Sequence, residues 1–247
     1  MPVRSTRRAL VTGAASGIGA AVAHRLALAG MAVVCADVDV DGAGRVAAET
    51  GGDPLELDLR SVPDDLGDRL GYLDVLVSCA GVADSTPTSD LDVAGYRRVM
   101  EINLDGTVAV TLAVLPLLRA AASGRVLTIS SVQGFRAAAD TLAYATSKGA
   151  LVTFTRALAV DVAEDGVLVN ALAPGFVDTP MARMPDGTRE YDTPWFRSVY
   201  VEHARIPMRR PGTADEVAAA AEFFVSPTNT YVTGQVLAVD GGLMATF

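Results

Sequence analysis

Residues 12–19 read Thr12-Gly13-Ala14-Ala15-Ser16-Gly17-Ile18-Gly19. An apolar run over 9–12 precedes them and an alanine-rich stretch over 17–29 follows. Strand, glycine turn, helix is the order in which backbone N–H groups approach a pyrophosphate at the positive end of a helix dipole. A turn that merely joins strand to helix would also use glycine, and the Gly-x3-Gly-x-Gly spacing departs from the common fingerprint. The next segments decide between the two. A second apolar run over 31–36 ends in Asp37, 18 residues beyond Gly19. A carboxylate there accepts hydrogen bonds from ribose hydroxyls and repels a 2′-phosphate, which points to NAD over NADP. Neither Ser16 nor Val38 offers a cation for such a phosphate.

The same alternation continues outward. Strands are predicted over 9–12, 31–36, 54–57, 73–79, 125–130, 167–172 and 235–239, and helices over 17–29, 42–49, 94–118, 142–163 and 214–224. Short runs rich in Val, Ile and Leu between longer helical stretches make a parallel sheet covered on both faces. The expected fold is therefore α/β: one doubly wound, Rossmann-type domain over 1–247 with about seven strands. No Pro/Gly/Ser linker divides the chain. The irregular stretch over 179–212 carries five prolines, which exclude one long helix. Its Met181, Met184, Tyr191, Trp195, Phe196 and Tyr200 are apolar enough to suggest a substrate loop rather than a solvated one.

Half of the 247 residues are hydrophobic, and 20 basic against 29 acidic residues leave a net charge of −9. That balance argues against nucleic acid as a partner, and Arg4, Arg7 and Arg8 are too few to form a binding arm. The opening residues lack a signal-peptide core. The longest apolar stretch, near 108–118, is broken by Thr111 and Pro116 and falls short of a membrane span. Cys35 and Cys79 sit in apolar runs as small buried hydrophobes, in keeping with a reducing cytoplasm. His24 and His203 have no neighbours that would make a metal site, so no metal is expected.

The reacting groups follow the fifth strand. Ser131 comes first, Tyr144 lies 13 residues later, and Lys148 four beyond that. Positions i and i+4 share a helix face, so phenol and ammonium point into one pocket. A free phenol ionises near pH ~10, and the nearby lysine cation, aided by the positive nicotinamide of an oxidised cofactor, favours phenolate. Bringing it to neutrality takes roughly 3–4 kcal/mol, within reach of close charges in a desolvated site. Tyr144 would then exchange a proton with the alcohol or carbonyl oxygen, which Ser131 holds in place. Asp58, with Leu59, is a candidate for the adenine end.

From about Arg8 to Gly242 the chain resembles the short-chain dehydrogenase/reductase family. The resemblance is carried by Thr12-Gly13-x-x-x-Gly17-Ile18-Gly19, Asp58, Ala80-Gly81, Asn103, Ser131, Tyr144-x-x-x-Lys148, Asn170, Pro174-Gly175, Thr179 and Asp240-Gly241-Gly242. It implies that Asn103 completes a tetrad by holding a helix carbonyl and a water that relays protons toward Lys148. It implies that Lys148 also binds the nicotinamide ribose, and that Pro174, Gly175, Val177 and Thr179 hold the carboxamide end. It implies a homotetramer with the helices near 94–118 and 142–163 buried between subunits. Two departures stand out. Ser78-Cys79-Ala80-Gly81 replaces the usual Asn-Asn-Ala-Gly, and the segment between Asp58 and Leu73 is short, implying a stunted helix beside the adenine.

Val82, Gln133, Leu142, Phe176, Met181, Trp195 and Phe196 flank these groups in sequence. They suggest a mostly apolar secondary alcohol or ketone with one polar group near Gln133. A 3-oxoacyl-thioester ketoreductase, usually NADPH-dependent, is the enzymatic alternative, and Asp37 counts against it. A noncatalytic NAD-sensing scaffold is the other, and the complete reacting set counts against that.

Overall fold

The computed structural model describes residues 6–184 and 186–246; Arg4 and Pro185 lie outside the described residues. Seven strands form one wholly parallel sheet: β1 (Arg8–Thr12), β2 (Ala32–Asp37), β3 (Asp53–Glu56), β4 (Val75–Ser78), β5 (Arg125–Ile129), β6 (Leu168–Pro174) and, last in the chain, Val236–Val239. Their order is β3-β2-β1-β4-β5-β6 followed by Val236–Val239. The chain winds outward from β1 through β2 to β3, then returns to place β4 on the opposite side of β1. The crevice at that reversal, outside the carboxyl ends of β1 and β4, is where an open α/β sheet holds a ligand.

Successive side chains on a strand face opposite ways, and β1 shows what that does to the core. Ala9 and Val11 join one apolar layer with Ala23, Leu26 and Phe224, whereas Leu10 joins the other with Leu76, Val114 and Leu118. Both faces are buried, so the strands read as unbroken apolar runs. The first layer is covered by α1 (Gly17–Leu28), α2 (Val40–Thr50) and the last long helix, Ala214–Val225. The second is covered by α3 (Leu66–Leu70), α5 (Gly106–Ala120) and α6 (Leu142–Asp161), with α4 (Val93–Met100) packed against α6. Each fully buried Leu contributes about 1.5–3 kcal/mol, so these two layers dominate the fold's stability.

The expected strands and long helices are all present to within a few residues. The stunted helix implied after Asp58 is the short helix α3, closed by Gly71 at φ +69°. Two features differ. The helix expected over 94–118 is divided by a π-helical turn at Glu101–Asp105. The 179–212 stretch is helical over Pro194–Phe196 and Arg197–Glu202, with Pro194 as the first helical residue, where its missing N–H costs nothing. Two residue pairs, β7 (Val177–Asp178) and β8 (Gly212–Thr213), close the neck of that lobe as a small parallel bridge. The final strand Val236–Val239 is β9, and α7 (Pro194–Phe196) precedes α8 (Ala214–Val225).

Arg7 and Arg8 are ties rather than a free patch. Arg7 donates to the carbonyls of Val225 and Ser123, and Arg8 to Leu70 and Asp53. Val93–Ala120 is long and apolar enough to cross a membrane by length and composition alone. Yet Val110, Val114 and Leu118 are fully buried in the second layer, as in the core helix of a globular domain.

Candidate active site

The reacting groups are fixed by the end of β5 and the first turns of α6. Ser131 adopts an extended conformation and starts a tight turn, its Oγ accepting from Gln133 N at 3.1 Å. Lys148 Nζ donates to Ile129 O at 2.9 Å and stands 5.7 Å from the Tyr144 ring centroid. Ser130 Oγ donates to Lys148 O at 2.8 Å, so strand end and helix are tied twice. Gly134 is required here, because a Cβ would lie 2.8 Å from that same carbonyl.

Asn103 sits within the π-helical turn and is fully buried. Its Oδ1 accepts from Val82 N at 2.8 Å, and its Nδ2 donates to Val82 O and Ser147 Oγ, each at 3.0 Å. The carbonyl held by this side chain is thus that of Val82, in the loop after β4, and not a helix carbonyl as the resemblance implied. The helix is reached indirectly, since Ser147 Oγ donates to Tyr144 O at 2.7 Å. The amide pins the β4 loop to the helix that carries Tyr144.

Burial sets the protonation of this group. Lys148 is 5% exposed, and loss of water pushes its pKa down to about 8, with Cys79 pulling the other way. Burial likewise raises the Tyr144 phenol above its ordinary value, more than the hydrogen bond it shares with Ser131 lowers it. Burial is the largest influence on the phenol here, and the Lys148 Nζ is turned to Ile129 O. A neutral phenol is the form that can give a proton to a carbonyl oxygen. The Cys79 thiol, pushed up to about 12 chiefly by burial, remains uncharged beside them.

The glycine turn lies against the same loop. A Cβ on Gly13 would meet Ala80 Cα and N at 2.8 Å, and one on Gly19 would collide with the Gly13 carbonyl. Thr12 Oγ1 accepts from Cys79 N and Ala80 N, binding β1 to the end of β4. Gly17 starts α1 at φ +54°, and its missing Cβ would sit 3.3 Å from that of Thr179. Ser16 precedes α1 without using its side chain as a cap, so the first-turn N–H groups, among them Ile18, remain for a ligand. A Cβ on Gly81 would touch Asn103 Oδ1 and come within 3.4 Å of Lys148 Nζ. These residues fit a dinucleotide stretched from Asp37 to Lys148, which keeps two further N–H donors.

At the adenosine end, Asp37 Oδ2 accepts from Ala15 N and Oδ1 from Asp39 N, both at 3.0 Å. Each oxygen retains a second lone pair. Asp58 is taken up by Arg60, which donates from Nη2 at 2.6 Å and holds the carboxyl down to about 2. Leu59 is buried below Gly106, where a Cβ would meet it at 2.5 Å. Arg45, missed in the sequence, donates to Ala15 O at 3.1 Å, which places a cation beside the glycine turn. Its position on α2 gave no signal, because only the fold brings that helix back to residue 15.

On the substrate side, Val82 and Gln133 adjoin Asn103 and Ser131. Pro174 and Val177 are buried at the β6 end, and a Cβ on Gly175 would meet Asp240 Cβ at 2.8 Å. Leu142, Met181 and Trp195 are exposed. Phe196 is corrected: at 0% exposure it lines no cleft, because it is enclosed by Phe176, Tyr191 and Tyr200 at centroid distances of 5.0, 5.0 and 4.8 Å. Tyr191, unassigned from the sequence, faces inward and donates to Val177 O at 2.6 Å. Among the described residues no cluster of His, Cys, Asp or Glu could hold a metal.

A family model described as Enoyl-(Acyl carrier protein) reductase matches residues 13–244. The chain belongs to the short-chain dehydrogenase/reductase family. It is 39% identical to the cis-4-hydroxycyclohexanecarboxylate dehydrogenase of Sinomonas cyclohexanicum, over 97% of each chain. It is 32% identical to the 3-oxoacyl-[acyl-carrier-protein] reductase FabG of Thermotoga maritima, over 95% of this chain and 96% of that one. Among solved structures it is similar to a gluconate 5-dehydrogenase of Burkholderia cenocepacia in complex with NADP and tartrate. The TM-score is 0.89 at 32% identity, with 99% and 98% of the two chains covered. This short-chain dehydrogenase/reductase is accordingly a nicotinamide-dependent oxidoreductase acting between a secondary alcohol and a ketone.

Proposed function

We propose that the chain is an NAD(H)-dependent enzyme for a small secondary alcohol or ketone, with Tyr144 as proton carrier and Ser131 as the clamp on the reacting oxygen. The single observation that carries this reading is the placement of half-buried Tyr144 one helical turn from buried Lys148, whose Nζ lies 5.7 Å from the phenol ring, on the helix that packs against the turn begun by Ser131. When bound, the nicotinamide supplies or accepts the hydride. Gly13, Ser16, Gly17, Ile18, Gly19, Ala80 and Gly81 would hold its pyrophosphate side, and Gly175, Val177 and Thr179 its carboxamide side. Ser131 fixes the carbonyl oxygen by a hydrogen bond, Tyr144 delivers a proton to it, and Lys148 orients the ribose while countering the charge left on the phenol. Asn103 keeps the two loops in register.

Support for NAD is Asp37, whose carboxylate would repel a 2′-phosphate. Arg45 is a counterweight near the turn: it is exposed, but one of its nitrogens is engaged with Ala15 O. A panel of alcohols and ketones with NADH and NADPH, read at the reduced-cofactor absorbance band, tests both parts. Turnover with NADPH alone would overturn the cofactor assignment. A 3-oxoacyl thioester belongs in the panel, because FabG is among the relatives.

The reading includes one domain with the 179–212 lobe over its substrate cleft, and a soluble cytoplasmic homotetramer. Exposed Leu112 on α5, Val160 on α6, Phe223 on α8 and Leu237 on β9 support the assembly. Light scattering that returns a stable monomer would refute it.

A further inference from the structure

Two acceptors on the loops that follow β4 and β5 have nothing to accept from. Gln133 Oε1 and Asp84 Oδ2 are buried from solvent and lack a hydrogen-bond partner. Among the described residues the other buried side-chain atoms in this state are Arg7 Nε, Arg125 Nε and Ser78 Oγ. The two guanidiniums are already engaged through other nitrogens with carbonyls of Val225, Ser123, Gly124 and Asn229, and the serine can act as a donor. The orphan acceptors alone lie on loops leaving the carboxyl ends of β4 and β5.

Each lies two residues along the chain from a residue of the site. Gln133 N donates to Ser131 Oγ, so its side chain starts two residues from the carbonyl clamp. Asp84 lies two residues past Val82, whose backbone Asn103 grips from both sides. Its Oδ1 is occupied by Thr86 Oγ1 at 2.8 Å, leaving Oδ2 free. An ionised carboxylate only accepts, and an amide oxygen only accepts. A buried acceptor left unpaired is penalised, so the missing donor has to arrive with a ligand or a water.

We propose that Asp84 and Gln133 form an accepting wall of the substrate cleft, and that the substrate carries at least one hydroxyl besides the reacting oxygen. The proposal rests on the alcohol and ketone reading above and deepens it: the substrate is a neutral polyol or hydroxyketone. A substrate anion beside Asp84 is disfavoured by like charge. The aromatic lobe receives the carbon skeleton and the two loops receive the hydroxyls.

The test compares kcat/KM for cyclohexanone with 2-, 3- and 4-hydroxycyclohexanone under saturating reduced cofactor. A site built to bond a hydroxyl rejects the analogue that lacks it, so at least one hydroxyketone should exceed cyclohexanone by about tenfold or more. In Gln133→Leu and in Asp84→Ala the advantage should fall severalfold while cofactor affinity, followed by fluorescence, stays unchanged. Retained affinity shows that the variants are folded. Gln133→Glu keeps the acceptor and should keep the preference. Equal turnover of all four ketones overturns the proposal and indicates that water satisfies both oxygens, with the alcohol and ketone reading intact. An advantage unchanged in both variants also overturns it. Turnover of none, with cofactor bound, overturns the proposal together with the small-ketone reading beneath it.

Discussion

The floor of the active site and the lobe above it are built in opposite ways. On the floor, Asn103, Ser131 and Lys148 are buried, and their polar atoms bond to the backbone of Val82, Gln133 and Ile129. The lobe leans on exposed ion pairs, Arg189 with Asp178 and Asp192, and Arg210 with Glu216. Such pairs add little stability, because solvent screens them. Beneath them lies the aromatic cluster around Phe196. Chemistry is thus fixed by regular elements, while the lobe over it is held chiefly by one apolar anchor. A scaffold of this kind can change substrate without changing its reaction.

The largest effect should come from the floor. Tyr144→Phe removes only the hydroxyl, and kcat should fall by about 10²–10⁴ while cofactor affinity, measured by fluorescence titration, stays within a few-fold. Full turnover in that variant would break the contrast at its centre. In the lobe, Phe196→Ala should cost about 3–5 kcal/mol of stability, read as a lowered thermal midpoint. Trp195→Ala next to it, 60% exposed, should leave the midpoint nearly unchanged. Equal losses from the two would mean that Phe196 is no anchor.

Asp37→Ala should shift the NADPH-to-NADH ratio of kcat/KM upward by about tenfold, a change of roughly 1.4 kcal/mol. An unmoved ratio would shift attention to Arg45. The smallest effect is a pH slope. Lys148 has a folded pKa near 8, below its ordinary value, so above that pH the folded protein loses the proton before the unfolded chain does. Stability carried by this residue should therefore rise with pH from about 8 upward, and cofactor affinity should fall over the same range as the ammonium is lost. Lys148→Met should flatten both profiles.

Much of the floor was legible because chemistry and spacing constrain each other. Tyr144 and Lys148 one turn apart, and Gly13, Gly17 and Gly19 between strand and helix, are patterns that few other needs produce. The central strands were legible because a parallel sheet buried on both faces demands unbroken apolar runs. The lobe was not, because its structure depends on what packs against what. Phe196 and Trp195 are adjacent aromatics in the sequence, and only the tertiary fold encloses one and exposes the other. The Asp58–Arg60 pair was not legible either, because nothing in the sequence shows that Arg60 turns back over two residues.

The π-helical turn at Glu101–Asp105 makes the long helix behave like a vernier. Gly106 N reaches Glu101 O, five residues back instead of four, so the turn stores one surplus residue. Val99 before it and Val110 and Val114 after it are all buried, which ties both halves to fixed bearings. Removing one residue would restore a plain helix but swing one half by about 100°. Asn103 could then meet Val82 only by unseating the core. Along this stretch the length of the chain is itself under constraint, independently of which residues compose it.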